Sequence, residues 1–405
     1  MIGRALADPA VAEVLNGRGL HVVAVGKAAA AMAAAFVAVP HLAIRQAIAI
    51  GTHQHADLPA TVEWIESSHP FPDARSEAAG NRAIAIAQSV HSGEALVILL
   101  SGGASALMVS PVADISLADK IETTRLMMAS GADIHALNTV RRHLSKVKGG
   151  RLAAACIGTT ITLAISDVVG DDLNAIGSGP GVPDATTWSD AAAALDRFGG
   201  EAHSPAVRSV IRKGVDGGLP DTPKAGHPSL ARAKARVIGS RADAMEGARV
   251  AAMERGYQAI VMPEAVTGEA RQAGPEWFGR VRHLVGPSPR KVCVISSGET
   301  TVRVTGHGAG GRNLEFALAL AESMSLLPGA AMASIGTDGI DGSSGVAGGI
   351  VDSTTMARAS QAGLAPPGNF FAANDSFAFF APLGDAVRLG RTDTNVGDLQ
   401  VLLID

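Results

Sequence analysis

Five stretches of this chain place glycine, hydroxyl, carboxylate or basic side chains directly after an apolar run. In "VRVTGHGAGGRNLEF", Gly306, Gly308, Gly310 and Gly311 lead into Arg312, whose planar guanidinium suits a carboxylate or a phosphate two-pronged. A structural turn is the plainer reading. A dinucleotide fingerprint would also need an acidic residue about 20 positions on, at the end of the next strand, and "ESMSLLPGA" has none there. In "VVAVGKAAAAMAAAF", Gly26 closes an apolar run and Lys27 opens an Ala-rich helix, so its ammonium would stand beside helix N-terminal amides that favour anions. The rival is a solvated lysine in a first helical turn. "VILLSGGASALM" offers the hydroxyls of Ser101 and Ser105 and the bare backbone of Gly102 and Gly103 to an anion, or is a tight turn that needs glycine for positive φ.

Two further stretches carry carboxylates. "LAISDVVGDDLNAIGSGP" puts Asp167, Asp171 and Asp172 after a strand-like run, a pattern compatible with Mg²⁺, which prefers a few carboxylates plus nucleotide phosphate oxygens. "SIGTDGIDGSSG" does the same with Asp338 and Asp341, for metal or hydroxyl contacts. In each case capping of a helix or turn is the alternative. His53 and His55 have a metal-like spacing, but no third ligand is evident nearby, which argues against zinc. Neither Ser101 nor Ser105 sits in a G-x-S-x-G elbow, which argues against a hydrolase.

The elements that must position these residues alternate. "HVVAVG", "QAIAIG", "ALVILLSGG" and "TITLAISD" each end in a turn residue and are separated by longer helical patterns. This predicts βαβ units and a doubly wound, mainly parallel sheet with helices on both faces, an α/β/α domain over residues 1–226. After the Pro- and Gly-rich "GVDGGLPDTPKAGHPS" a second series runs through "ARVIGS", "QAIVMP", "KVCVISSGE", "TVRVTG", "AMASIGTD" and "LQVLLID". It predicts a smaller α/β domain over 227–405. In open α/β sheets ligands bind beyond the carboxyl ends of the strands, where the candidate residues fall.

Composition narrows the function classes. A chain of 405 residues with 47% hydrophobic residues can bury more than one core. A net charge of −4 with 18% charged residues lacks the basic excess that follows a nucleic-acid backbone, so no nucleic-acid partner is expected. Cys156 and Cys293 lie far apart in apolar runs, without metal or redox spacing, and read as buried reduced thiols. The first residues lack a leader-like pattern and no apolar run reaches about 18 residues, which predicts no membrane association and a cytoplasmic location.

Taken in order, "VGKAAAAM", "SSHPFPD", "SGGASALM", "LNTVRRHLSKVKGGRLA", "ISDVVGDDLNAIGSGP", "SSGETTV", "GAGGRNLE", "GTDGIDG", "NDSF" and "TNVGDL" closely resemble the class II glycerate kinases, the glycerate 2-kinase family, across nearly the whole chain. Members of that family were long labelled hydroxypyruvate reductases. The resemblance implies an N-terminal α/β/α domain, a smaller C-terminal α/β domain and an active site in the cleft between them. It further implies ATP and Mg²⁺ as cofactors and transfer of phosphate to the 2-hydroxyl of D-glycerate. The alternatives are an NAD(P)H-dependent hydroxypyruvate reductase and a kinase for a related sugar acid. The family's important lysine and arginine fall on Lys27 and Arg312. The matching motifs bring Gly26, Ser101, Gly102, Gly103, Ser105, Asn138, Gly310, Gly311, Asn313 and Asp338 in as substrate or nucleotide contacts, and Asp167 and Asp171 as Mg²⁺ ligands. The chain departs from the family pattern at Ala104, where a third glycine is usual, near Gly345, and at Arg391 and Asp393. Lys27 and Arg312 are both expected to face ligand and to add nothing to a packed interior.

Overall fold

The computed structural model describes residues 1–54, 57–285 and 291–405, and the chain divides into two compact units. One comprises Met1–Ser166 with Asp171–Ile238, the other Asp167–Gly170 with Gly239–Asp405.

The first unit is built on β1 (Gly19–Val25), β2 (Ala43–Gly51), β3 (Glu63–Glu66), β4 (Ala95–Leu100), β5 (Thr159–Ile165) and β6 (Ala233–Gly239), in the sheet order β3-β2-β1-β4-β5-β6. The pairings from β3 through β5 are all parallel. β4 is a continuous apolar run and β1 an apolar run interrupted by His21, both buried on both faces, as central strands covered by helices must be. Helices begin where the sequence supplies reciprocal caps, Asp73 with Ser76 before Ala74–Ser89 and Ser116 with Asp119 before Leu117–Ala129. From β1 the chain winds outward through β2 and β3, then returns to β4 on the other side of β1 and winds the opposite way. The strand order therefore reverses between β1 and β4, the switch point at which parallel crossovers leave a crevice.

β6 corrects the expected domain limits. "ARVIGS", expected in the second series, hydrogen-bonds to the edge of the first sheet beside β5, and the division falls after Ile238 rather than after residue 226. An alternating apolar run specifies a strand but not the sheet edge that completes its ladder.

The second unit has a mixed sheet of β7 (Gln258–Val261), β8 (Val266–Glu269), β9 (Val292–Thr301), β10 (Ala330–Gly336), β11 (Gly348–Asp352), β12 (Ala386–Val387) and β13 (Asp398–Ile404). Its order is β12-β11-β10-β13-β9-β7, with β8 also on β9. β13 is antiparallel to both β9 and β10, while β7 and β8 run parallel to β9. Its core lies under the helices Ala270–Val285 and Arg312–Met324, where Trp277 meets Phe316 edge to face at 5.7 Å. "TVRVTG" is not a strand. β9 ends at Thr301, and the side chain of Asn374 takes over the hydrogen bonds a ladder partner would make, accepting from Thr305 N and Gly306 N and donating to Arg303 O. Cys156 and Cys293 are buried free thiols. No helix among the described residues is long and apolar enough to cross a membrane.

Candidate functional site

At the switch point of the first sheet, the turn after β1 is stitched to the turn after β4. Lys27 N donates to Gly102 O at 2.9 Å, Ser101 N to Val25 O at 3.0 Å, and Ala28 N to Ser101 Oγ at 3.0 Å. Gly26 permits this approach, since it has φ +125° and a Cβ there would lie 2.2 Å from Ser101 Oγ. Ser101 is fully buried, and its hydroxyl holds the start of the Lys27 segment. The Lys27 side chain is exposed. Beside it are His69 and Gly103, where a Cβ would meet the His69 ring at 3.3 Å and Lys27 Cγ at 3.6 Å. Burial, and then the Lys27 charge, push His69 below its ordinary range, which favours the neutral imidazole. Gly103, at φ +86°, lets the turn after β4 pass close to both Lys27 and His69.

Ser105 follows on the same turn. Its Oγ is 2.8 Å from Ser178 Oγ, and Ser178 Oγ donates to Asn138 Oδ1 at 3.0 Å. With the Ser178 proton on Asn138, Ser105 must donate to Ser178, so its oxygen keeps acceptor capacity outward. Asn138 is buried and acts through Ser178. Ser178 is held at φ +61° between two left-handed glycines, strained backbone of the kind found where a side chain must be aimed. Under the turn, Lys148 Nζ donates to Ser105 O at 2.9 Å. Lys148 is 1% exposed, and burial together with the Arg141 charge lowers its ammonium to about 7.

In the second unit the glycine run is a packed platform. A Cβ would lie 2.2 Å from Ala373 O at Gly306, 2.3 Å from Asp375 Cβ at Gly308, 2.4 Å from Ser376 Oγ at Gly310 and 2.3 Å from Asp341 Cγ at Gly311. Its amides are taken by protein acceptors: Gly308 N by Ala373 O, Ala309 N by Asp375, and Gly310 N by Ser343. The glycines fit the loop against "AANDS", and a phosphate has no run of bare amides to occupy.

Arg312 opens the helix Arg312–Met324 and is doubly paired. Its Nη2 and Nε reach Asp398 at 3.0 and 2.7 Å, and its Nη1 reaches Glu299 at 2.8 Å. Asp398 is fully buried at the start of β13, whereas Glu299 is 41% exposed near the end of β9. Burial alone would lower the Arg312 pKa, but Asp398 and Glu299 outweigh it and hold the guanidinium above its usual value. The expectation that Arg312 adds nothing to a packed interior is therefore wrong for the face that clamps Asp398. Asn313 is equally enclosed. It accepts from Ser334 Oγ at 2.7 Å and donates to Asp398 at 2.9 Å, so it organises the network from within. Asp341 accepts from Asn313 N and Leu314 N at the helix start, and burial raises its carboxyl to about 6 against those amides. Asp338 is half-buried, and its Oδ1 accepts from Ile340 N at 3.2 Å.

Asp167 falls in the second unit, where Asn395 Nδ2 donates to it at 2.7 Å. Asp171 falls in the first unit and is exposed with φ +56°. Among the described residues no group of three or more His, Cys, Asp or Glu side chains is arranged to hold a metal ion; His55 lies outside them. The residues that sequence reasoning missed are His69, Lys148, Glu299 and Asp398. All four stand within or beside quoted motifs, yet only the pairing of strand ends reveals their partners.

Two family models match this chain, one described as a domain of unknown function, DUF4147, over residues 4–212 and the MOFRL family over residues 292–398. A protein named D-glycerate 2-kinase from Thermotoga maritima is 35% identical over 98% of this chain and 94% of its own length. The chain belongs to the glycerate 2-kinase family. A solved structure from the same organism, titled as a glycerate kinase, superposes with a TM-score of 0.85 at 34% identity, covering 99% of this chain and 95% of that one. A relative from Agrobacterium vitis, 38% identical over 99% of this chain and 92% of its own length, carries a provisional hydroxypyruvate reductase name. Within this glycerate 2-kinase family member, Lys27 stands at the sheet's switch point and Arg312 on the carboxylates of the second unit.

Proposed function

We propose that this chain is an ATP-dependent kinase that phosphorylates D-glycerate at its 2-hydroxyl, yielding 2-phosphoglycerate and ADP. The observation that carries the reading is Lys27 with the Gly102–Gly103–Ser105 turn at the β1/β4 switch point, within a chain of glycerate 2-kinase ancestry. Phosphoryl transfer asks chiefly for positioning and charge neutralisation. The exposed Lys27 side chain and the partly exposed Gly103 turn beside it suit a phosphate of ATP. Ser105, its proton directed to Ser178, presents an oxygen that accepts a hydrogen bond. Arg312 is fixed by Asp398 on one side, while its Nη1 rests on the half-exposed Glu299, and this is the position where a phosphoryl oxygen would exchange with a carboxylate. Mg²⁺ carried by the nucleotide would offset phosphate charge, and the exposed Asp171 is the carboxylate of the first unit that could join its ligands.

A reductase would need a close dinucleotide approach to a glycine turn, and the space beside the 306–311 run is taken by Ala373, Asp375, Ser376 and Asp341. Incubation of the protein with ATP, Mg²⁺ and D-glycerate should give ADP and a phosphorus NMR signal of 2-phosphoglycerate. A predominant 3-phosphoglycerate signal would overturn the regiochemistry. NADH oxidation with hydroxypyruvate in the absence of kinase turnover would overturn the reaction class.

A further inference from the structure

Three cations of the first unit lie together without a carboxylate partner among the described residues. Lys120 is 5% exposed and donates to Arg141 O and Leu144 O, each at 3.0 Å. Lys148 is 1% exposed and donates to Ser105 O. Arg141, on the last turn of the helix Ile134–His143, is half-buried, and no acceptor among the described residues takes its guanidinium protons. Their charges act on one another: Arg141 disfavours the ammonium of Lys148, and both disfavour that of Lys120. Arg151 adds to the field at Lys120 but is itself offset by Asp221 and Asp184. The neighbouring Arg142 shows the contrast, with its own buried partner in Asp184 at 3.1 Å.

Desolvating like charges without a counter-charge costs several kcal/mol. An arrangement of this kind is relieved when an anion completes it. The lysines direct protons at backbone carbonyls, which leaves one planar fork open, that of Arg141, and a single fork matches a single carboxylate. The cluster also shares the Ser105 turn with Lys27 through the Lys148–Ser105 hydrogen bond, so a bound acid would lie next to the groups read as phosphate ligands.

We propose that Arg141 binds the carboxylate of the acid substrate, with Lys148 beneath the Ser105 turn as the positioning residue that supplies the surrounding positive field. The inference rests on the kinase reading and deepens it by assigning the acid end of the substrate.

The test combines steady-state kinetics with calorimetric titration of D-glycerate into the nucleotide-free protein, for the wild type, Arg141→Ala, Arg141→Lys and Lys148→Met. Losing a charge-assisted fork should raise the KM for glycerate roughly 10- to 100-fold in Arg141→Ala while the KM for ATP stays within about threefold. Arg141→Lys should recover only part of the loss, because charge without the fork is half the interaction. At pH 8, glycerate binding should draw a proton onto Lys148, seen as a buffer-dependent heat that vanishes in Lys148→Met. An unaltered glycerate KM in Arg141→Ala overturns the inference, as does a rise confined to ATP, which would make the site a phosphate site. If Arg141→Ala does not fold, an unaltered glycerate KM in Arg141→Lys overturns it equally. Wild-type turnover with an unaffected variant defeats this inference alone, whereas a wild type that neither binds nor phosphorylates glycerate defeats the kinase reading and this inference with it.

Discussion

Replacing Arg312 by glutamine should destabilise the second unit far more than an exposed ion pair would. Asp398 is fully buried and loses two contacts in the variant, those at 3.0 and 2.7 Å from Nη2 and Nε. It retains the Asn313 amide at 2.9 Å. Removing one partner of a buried pair costs about 3–5 kcal/mol, because the other charge is left without compensation. The Glu299 contact is half-exposed and contributes about 0–1 kcal/mol. At about 2–4 °C per kcal/mol for a unit of this size, melting of the second unit should fall by roughly 6–20 °C in Arg312→Gln. Glu299→Gln should leave it nearly unchanged.

The loss should also depend on pH. Burial already raises the Asp398 carboxyl, and Arg312 is the largest influence opposing that rise. Without Arg312 the folded pKa moves further above the unfolded value, so the destabilisation is full above the folded pKa and absent below the unfolded one. Scanning calorimetry at pH 8 and pH 5 should therefore show a smaller deficit at pH 5, and adding Asp398→Asn to Arg312→Gln should recover part of the stability. A deficit below about 1 kcal/mol at pH 8, or one that does not shrink on acidification, would refute the argument that Arg312 holds a buried charge.

Other outcomes follow from single contacts. Gly306→Ala would set a Cβ 2.2 Å from Ala373 O, so the ligand-free protein should lose about 1–3 kcal/mol by urea denaturation, and unchanged stability would mean the loop is not packed as described. Lys27→Ala removes an exposed side chain, so kcat/KM should fall about 100-fold with the melting temperature held, and an equal loss of stability would make Lys27 a scaffold residue. Lys148→Met should be more stable than the wild type at pH 6. The wild type carries the full cost of its buried ammonium below about pH 7 and sheds it as pH rises toward the ordinary 10.5, so the advantage should fade over that window, and a pH-independent difference would contradict it.

The parallel sheet was legible because β1, β2, β4 and β5 are apolar runs ending in Gly, Ser or Asp, and this pattern depends on local residue order alone. The family was legible from ordered motifs. Lys27 was legible as well, since a strand end followed by a helix start fixes where its side chain can emerge. Tertiary structure decided matters that turn on partners distant in sequence. The glycines of 306–311 read as an open anion loop, but Ala373, Asp375 and Asp341, from 30 to almost 70 residues downstream, fill the space they leave. Arg312 read as a free cation until β13, antiparallel to β9, carried Asp398 onto it. That Asn313 and Ser101 are buried and hold neighbouring segments by hydrogen bonds was likewise not legible from their motifs. The strand "ARVIGS" joined the first sheet because an edge was open there. A sequence specifies which groups can bind an anion. Whether such a group is already neutralised or left unpaired depends on which long-range contacts bury it, and in this chain that separates Arg312, held by two carboxylates, from Arg141, held by none among the described residues.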